Sequence, residues 1–414
     1  LSRGARATIA TLLALLTSSA AIQRRAALHL ATATIAAARW PYFPGTRLSL
    51  RVQGIVPPYA TAIAGTGIML APTMYGVPLS AEPGDALLIA GNTAGIGALR
   101  LHIGLPPDPH RPSLFVASYD DGVVVHDARN FSIEGVLGIG GTAGDVAIGD
   151  DGRGVVADTL GNTATLFGLR PWNVRAVTGV PTGDETIVDP PLQAAFVTNR
   201  GGDGSGALTR VGFDGSVAAV TTGDTAEGIA LDAKRQIVYV ANVGDGTIAA
   251  IDARSLRRLQ RFFAVDRVFS LALAPDGTRL YAVSNTTAEP PLRNAGSVVA
   301  IALFPRPRVV TRSAALTFPI GVALDARAHR LFVSDEATAQ IDVLDARTLR
   351  PAHAPLATCA IPWKLRFEAP SERLYVPCAG ANAVDVFDTR RWRRVAGAPF
   401  ATGGYPLAIA LWAG

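Results

Sequence analysis

The chain has 414 residues, enough for one large domain or two to three ordinary ones, with 49% hydrophobic and 17% charged residues and a formal net charge of +5. That mixture excludes a disordered or acidic solvating chain, and 42 Gly with 28 Pro exclude long uninterrupted helices. The surplus charge does not mark a nucleic-acid binder. Arg3, Arg6, Arg24, Arg25, Arg39, Arg47 and Arg51 all precede the first acidic residue, Glu82, and beyond them acid slightly exceeds base, whereas a nucleic-acid face concentrates cations on the fold.

Residues 1–40 read as a targeting leader. Arg3 and Arg6 precede an apolar run, Ala7 to Leu16, followed by the small residues Thr17, Ser18, Ser19 and Ala20. A second candidate begins at Arg24-Arg25 and ends in Ala36-Ala37-Ala38, in the manner of a twin-arginine export signal. Cleavage is expected near Ala20 or Ala38, delivering a periplasmic, secreted or cell-surface protein; an ordinary amphipathic N-terminal helix is the alternative. Neither run reaches the roughly 20 residues that span a bilayer, so no transmembrane span is expected in the mature chain. Residues 41–96 contain strand-like runs at Leu48 to Val52, Ile68 to Ala71 and Ala86 to Ala90.

From about Gly97 the chain repeats. Gly228-Ile229-Ala230-Leu231-Asp232, Ile237-Val238-Tyr239-Val240-Ala241-Asn242 and Thr247 to Asp252 return as Gly321 to Asp325, Leu331 to Asp335 and Ile341 to Asp345. Successive units start at 100, 145, 185, 228, 270, 321, 364 and 408, spaced 45, 40, 43, 42, 51, 43 and 44 residues apart. Each holds short Val-, Ile-, Leu-, Phe- and Tyr-rich strands separated by turn chemistry. An Asp follows the third strand at Asp127, Asp252, Asp345 and Asp388, where it can accept from the backbone two residues on. Four antiparallel strands every 40 to 50 residues predict an all-β propeller with four-stranded blades. Seven blades fit within 97–414; eight remain open if the 41–96 segment completes the closing blade. The last run, Pro406 to Leu411, stops where a first strand ends, and is expected to close the ring against N-terminal strands.

The strands Tyr239-Val240-Ala241-Asn242 and Phe196-Val197-Thr198-Asn199, with looser forms at Phe332 to Asp335 and Phe115 to Ser118, resemble the second strand of the YVTN family of β-propeller repeat proteins. The resemblance covers roughly three quarters of the chain, from about Gly97 onward. It implies an exported or surface-associated bacterial or archaeal propeller, and it carries no catalytic residue across.

The residues themselves offer no catalytic motif. The six histidines show no metal-ligand spacing, and neither Gly-x-Ser-x-Gly nor a phosphate loop occurs; no metal and no cofactor is expected. Cys359 and Cys378 flank the first hairpin of the last complete repeat at its open end. They either bridge, as suits an oxidising compartment, or remain two small apolar side chains. Ligands of propellers enter where inner-strand entrances meet the axis. Those entrances carry Arg100, Asp145, Asp184, Glu185, Glu227, Trp363 and Lys364, a set suited to a small polar ligand, a peptide or a cation. The expected function is a non-enzymatic, monomeric scaffold that binds a protein or small polar ligand. The alternative is a hydrolase or lyase of lactonase type, with Asp145, Glu185 and Glu227 as its acidic nucleus.

Overall fold

The computed structural model describes residues 31–32, 34–35, 40–49, 52–53, 60–65, 67–71, 74–92, 95–201, 204–285 and 296–414. The expected leader falls, but for short pieces after residue 30, outside the described residues. The chain is all-β, with only two single-turn 3-10 helices at Pro190–Leu192 and Ala379–Ala381 among those residues.

Seven antiparallel sheets follow one another from residue 113. Blade one combines Ser113–Ser118, Gly122–Asp127 and Ile133–Leu137 with the C-terminal strand Pro406–Trp412, which lies innermost and pairs Phe115 with Ala410 and Val116 with Ile409. Blades two to six begin with inner strands Ala143–Ile148, Gly183–Asp189, Ala226–Asp232, Val268–Leu273 and Pro319–Asp325; that of blade seven is Arg366–Glu368. The ring is thus clasped between its two ends, and no free edge is left at the seam.

The second strands are apolar because both faces are covered: every residue of Ser113–Ser118 and Ala194–Asn199 is buried. Each blade interface holds its own hydrophobic cluster. Phe115 and Phe167 stack between blades one and two, 5.5 Å apart. Val197 and Val155 lie between two and three, Phe196 and Val238 between three and four, and Tyr239 and Leu280 between four and five. Val283 and Val333 follow between five and six, Phe332 and Leu374 between six and seven, and Tyr375 and Val116 across the seam. Repeating the blade therefore builds a continuous circular core.

Two devices of the repeat have visible causes. Near the axis the inner strands crowd together: a Cβ on Gly228 would lie 2.5 Å from the Phe269 carbonyl oxygen, and one on Gly321 would lie 2.8 Å from that of Trp363. The aspartates after the third strands bond the turn as expected. Asp345 Oδ1 accepts from the Arg347 and Thr348 amides at 3.0 and 2.8 Å, and Asp388 Oδ1 from those of Arg390 and Arg391 at 3.0 Å each.

Among the described residues, the 41–96 segment supplies no blade strand. Gly95–Ile103 pairs with Gly84–Asn92, whose far edge takes Ala60–Gly65, and this small sheet has its own core around Leu88, Leu101 and Tyr75. The boundary expected near Gly97 therefore lies inside that hairpin, and the ring starts at Ser113. Blade one already receives its inner strand from Pro406–Trp412, so the N-terminal segment can reach only its outer edge. There Pro41 and Phe43 bond Val136, the Arg47 amide donates to Gly138, and the Trp172 indole caps the Pro44 carbonyl.

Candidate axial binding site

The inner strands begin with irregular register, at Ala143/Asp145, Gly183/Thr186 and Ala226/Ile229. A bulge re-aims side chains, and here it brings consecutive polar residues together near the axis. In blade three the hydroxyl of Thr198 holds the bulge. It accepts from the Glu185 amide at 2.9 Å and donates to the carbonyl of Glu227 in blade four at 2.6 Å. Ser334 repeats the arrangement between Gly321 and the Trp363 carbonyl, at 2.9 and 2.7 Å. In blades three and six a hydroxyl on the second strand thus ties the blade to the next.

The result is a charged layer across the channel. Lys364, from blade seven, reaches blade three: its Nζ lies 3.2 Å from Asp184 Oδ1 and 3.4 Å from Glu185 Oε1. Arg200 Nε bridges Asp184 Oδ2 at 3.1 Å and Glu227 Oε1 at 3.2 Å. Glu185 Oε2 accepts from the Ile229 amide at 2.8 Å, and Asp145 Oδ2 from the Thr186 amide at 2.7 Å. The carboxylates and Lys364 are largely buried, with the Lys364 side chain 13% exposed and that of Asp184 6%, whereas Arg200 is partly exposed.

Burial and charge pull the carboxyls apart. Burial pushes Glu185 up to about 8, with Lys364 opposing and Asp145 and Asp184 reinforcing the rise. Glu227 rises to about 7 through burial and the charge of Asp184. Asp145 is also raised by burial, whereas for Asp184 the same burial is outweighed by Lys364 and Arg200, which hold it below its ordinary value. The four carboxylates in turn outweigh the cost of burying Lys364 and raise its pKa. Four carboxyls facing two principal cations thus approach neutrality by retaining protons on Glu185 and Glu227.

The layer floors a cavity of about 520 Å³ that runs along the inner strands to the hairpin ends at Gly149, Asp150, Pro190 and Pro191. Each inner strand pairs only with the second strand of its own blade, so its other edge presents backbone N–H and C=O groups to this space. Arg366 lines the wall beyond Lys364.

Of the seven residues the sequence singles out, Asp145, Asp184, Glu185, Glu227 and Lys364 come together. Trp363 adjoins them through its backbone, while its ring packs 6.3 Å from Phe269 and its buried Nε1 has no acceptor. Arg100 does not belong: it is exposed on the Gly84–Asn92/Gly95–Ile103 hairpin, opposite Leu87, because that strand never enters the ring. Arg200 and Arg366 escaped the sequence reading. Arg200 lies past the end of a second strand, where nothing in the repeat signals an inward turn. Arg366 was accessible to it, since strand alternation places it on the side of Lys364.

Cys359 and Cys378 are joined by a disulfide, with Cα atoms 5.7 Å apart. Among the described residues no cluster of three His, Cys, Asp or Glu is arranged to hold a metal; Lys364 and Arg200 occupy the space between the axial carboxylates. No helix among them is long and apolar enough to cross a membrane.

Fold and site together define a β-propeller whose axis carries an ion-pair layer beneath a cavity. No family model and no curated protein matches the sequence. Solved structures do match. A protein of unknown function from Desulfotomaculum acetoxidans has a TM-score of 0.61 at 16% identity, over 73% of this chain and 98% of that one. A periplasmic gluconolactonase of Pseudomonas aeruginosa has 0.58 at 15%, over 72% and 98%. Hydrazine synthase of Kuenenia stuttgartiensis has 0.57 at 14%, over 75% and 92%. Likeness at such identities establishes the propeller fold, and the differing activities these names carry show that the fold does not choose among them.

Proposed function

We propose that this chain is an exported, monomeric, non-enzymatic propeller of YVTN-repeat type that binds a small polar ligand in its axial cavity. The observation that carries the reading is the cavity of about 520 Å³ closed on one side by the Lys364–Asp184–Glu185 layer. A concave site with polar groups converging on it, rather than a flat loop surface, is the geometry of small-ligand recognition. Export is supported by the arginine-led apolar runs of residues 1–40 and by a disulfide, which persists in oxidising compartments. The YVTN reading is supported by the second-strand sequences Phe196-Val197-Thr198-Asn199 and Tyr239-Val240-Ala241-Asn242.

A thermal-shift screen of sugars, amino acids and carboxylates tests the reading, with Ala233→Trp as the control, because Ala233 is exposed at the cavity wall. Compounds that raise the Tm of the wild-type protein should lose that effect in Ala233→Trp. A screen without hits, or hits indifferent to the substitution, would refute the cavity as the site.

A lactonase-type hydrolase is the second reading, favoured by Glu185 and Glu227, whose pKa values of about 8 and about 7 suit proton transfer near neutrality. Against it, Glu185 is engaged by Lys364 and the Ile229 amide, and Glu227 by Arg200. Hydrolysis of glucono-δ-lactone that disappears in Glu185→Gln would establish this reading over the first.

A further inference from the structure

Two cations line the axial cavity, and they are not equivalent. Lys364 is consumed by Asp184 and Glu185. The Arg366 side chain makes no hydrogen bond or ion pair among the described residues, although it stands on the inner strand of blade seven and is exposed to the cavity. The carboxylates nearest to it are committed elsewhere. Asp145 accepts from Thr186, and Glu368 accepts from the Ser371 hydroxyl and, at 3.3 Å, from Tyr375 Oη. Asp150, the remaining charged group of the wall, is exposed in the turn between the first two strands of blade two. Burial within the channel lowers the pKa of Arg366, and Asp145 and Glu368 oppose that in part.

A guanidinium held in a cavity with its fork unused is a receptor for a planar anion. We infer that Arg366 is the anion-binding residue of the axial cavity and that its ligand is a small monocarboxylate. The inference rests on the axial-cavity reading above and deepens it by naming the ligand class. A lone guanidinium without an ion-pair partner among the described residues calls for a single negative charge. A dianion such as phosphate would bring its second charge toward Asp145, at the floor of the same space. The rest of the ligand would meet the inner-strand backbone edges, which accept and donate hydrogen bonds without demanding charge.

The test is a titration at pH 7 followed by ligand-observed NMR, with propionate, its neutral isostere propionamide, and inorganic phosphate as probes. The proteins are wild type, Arg366→Gln, Arg366→Lys and Ala233→Trp. Because Arg366 has no partner to lose, Arg366→Gln should retain the wild-type Tm, which verifies that it folds. Propionate should bind the wild-type protein about tenfold or more tightly than propionamide, the scale of a charge-assisted pair. That preference should vanish in Arg366→Gln and return in part in Arg366→Lys. A preference that survives in Arg366→Gln, or is absent from wild type, overturns the role of Arg366. Tighter binding of phosphate than of propionate overturns the monocarboxylate class. Binding that is lost in Ala233→Trp but unchanged in Arg366→Gln sinks this inference and leaves the cavity standing. Binding unchanged in Ala233→Trp sinks the cavity itself.

Discussion

Replacing Glu185 by Gln should change how stability depends on pH. In the folded protein this carboxyl holds its proton up to about 8, and Glu227 holds one up to about 7, against an ordinary value of 4.5. Between those limits the folded state carries protons the unfolded chain has released, so stability falls as pH rises. Of the other shifted groups two act only at lower pH, while Asp145, Glu134, Asp189 and Glu336, raised by burial, act in the same sense as Glu185 and Glu227. His126, depressed by burial to about 4, makes stability rise with pH up to its ordinary value of 6.5, and Asp342, raised by burial to about 6, acts in the opposite sense below that pH. In the window from pH 6.5 to 8 the carboxyls raised by burial all act in one sense, and Glu185 and Glu227 are the two whose values fall within it. At about 1.4 kcal/mol per pH unit for each group while it is protonated, wild-type stability should drop by about 2 kcal/mol across it. Glu185 supplies the larger part, so Glu185→Gln should keep less than half of the drop. Urea unfolding at half-unit pH steps measures both slopes. A wild-type protein whose stability is flat or rising from pH 6.5 to 8, or a variant with an undiminished slope, would refute the electrostatic reasoning.

Other outcomes follow from the same layer and its supports. Lys364→Met strands Asp184 and Glu185 without their cross-channel cation and should cost about 3–5 kcal/mol at pH 8. The cost should shrink at pH 5.5, where the carboxyls can take up protons instead; a loss independent of pH in urea unfolding would contradict this. Thr198→Val leaves the Glu185 amide and the Glu227 carbonyl unpaired and should destabilise by about 1–3 kcal/mol, while Thr198→Ser stays near wild type; equal losses in both variants would count against the blade-linking role. Replacing Cys359 and Cys378 together by Ser, which opens a loop of 19 residues, should cost about 3 kcal/mol. Thiol titration of the denatured, unreduced protein should find no free thiol, and two free thiols would contradict the bridge.

Much of this architecture could be read from the chain before its structure, and the reasons are local. Runs such as Ile237 to Asn242 are apolar at nearly every position because neighbouring blades cover both faces. Asp252 and Asp345 mark turns through bonds to amides two and three residues on. The ion pairing of Asp145, Glu185, Glu227 and Lys364 could not be read from the chain, but these residues could be placed at the axial entrances because equivalent positions of a circular repeat lie at equal depth along the axis. Arg100 was misplaced for the same reason: Gly95–Ile103 has the length and apolarity of an inner strand, and only its long pairing with Gly84–Asn92 removes it from the ring. The contribution of Arg200 was invisible because it depends on where a connection folds, which neither period nor composition encodes.

The central claim is that a buried ammonium crosses the channel from blade seven to blade three. The chain contains only two lysines, Lys234 and Lys364, so lysine ¹³Cε and ¹⁵Nζ spectra hold two signals and one Lys364→Arg variant assigns them. Four surrounding carboxylates should keep Lys364 charged well above the ordinary lysine range near 10.4, with ammonium protons protected from solvent exchange. A Lys364 signal that exchanges freely and titrates at the ordinary lysine value would contradict the account.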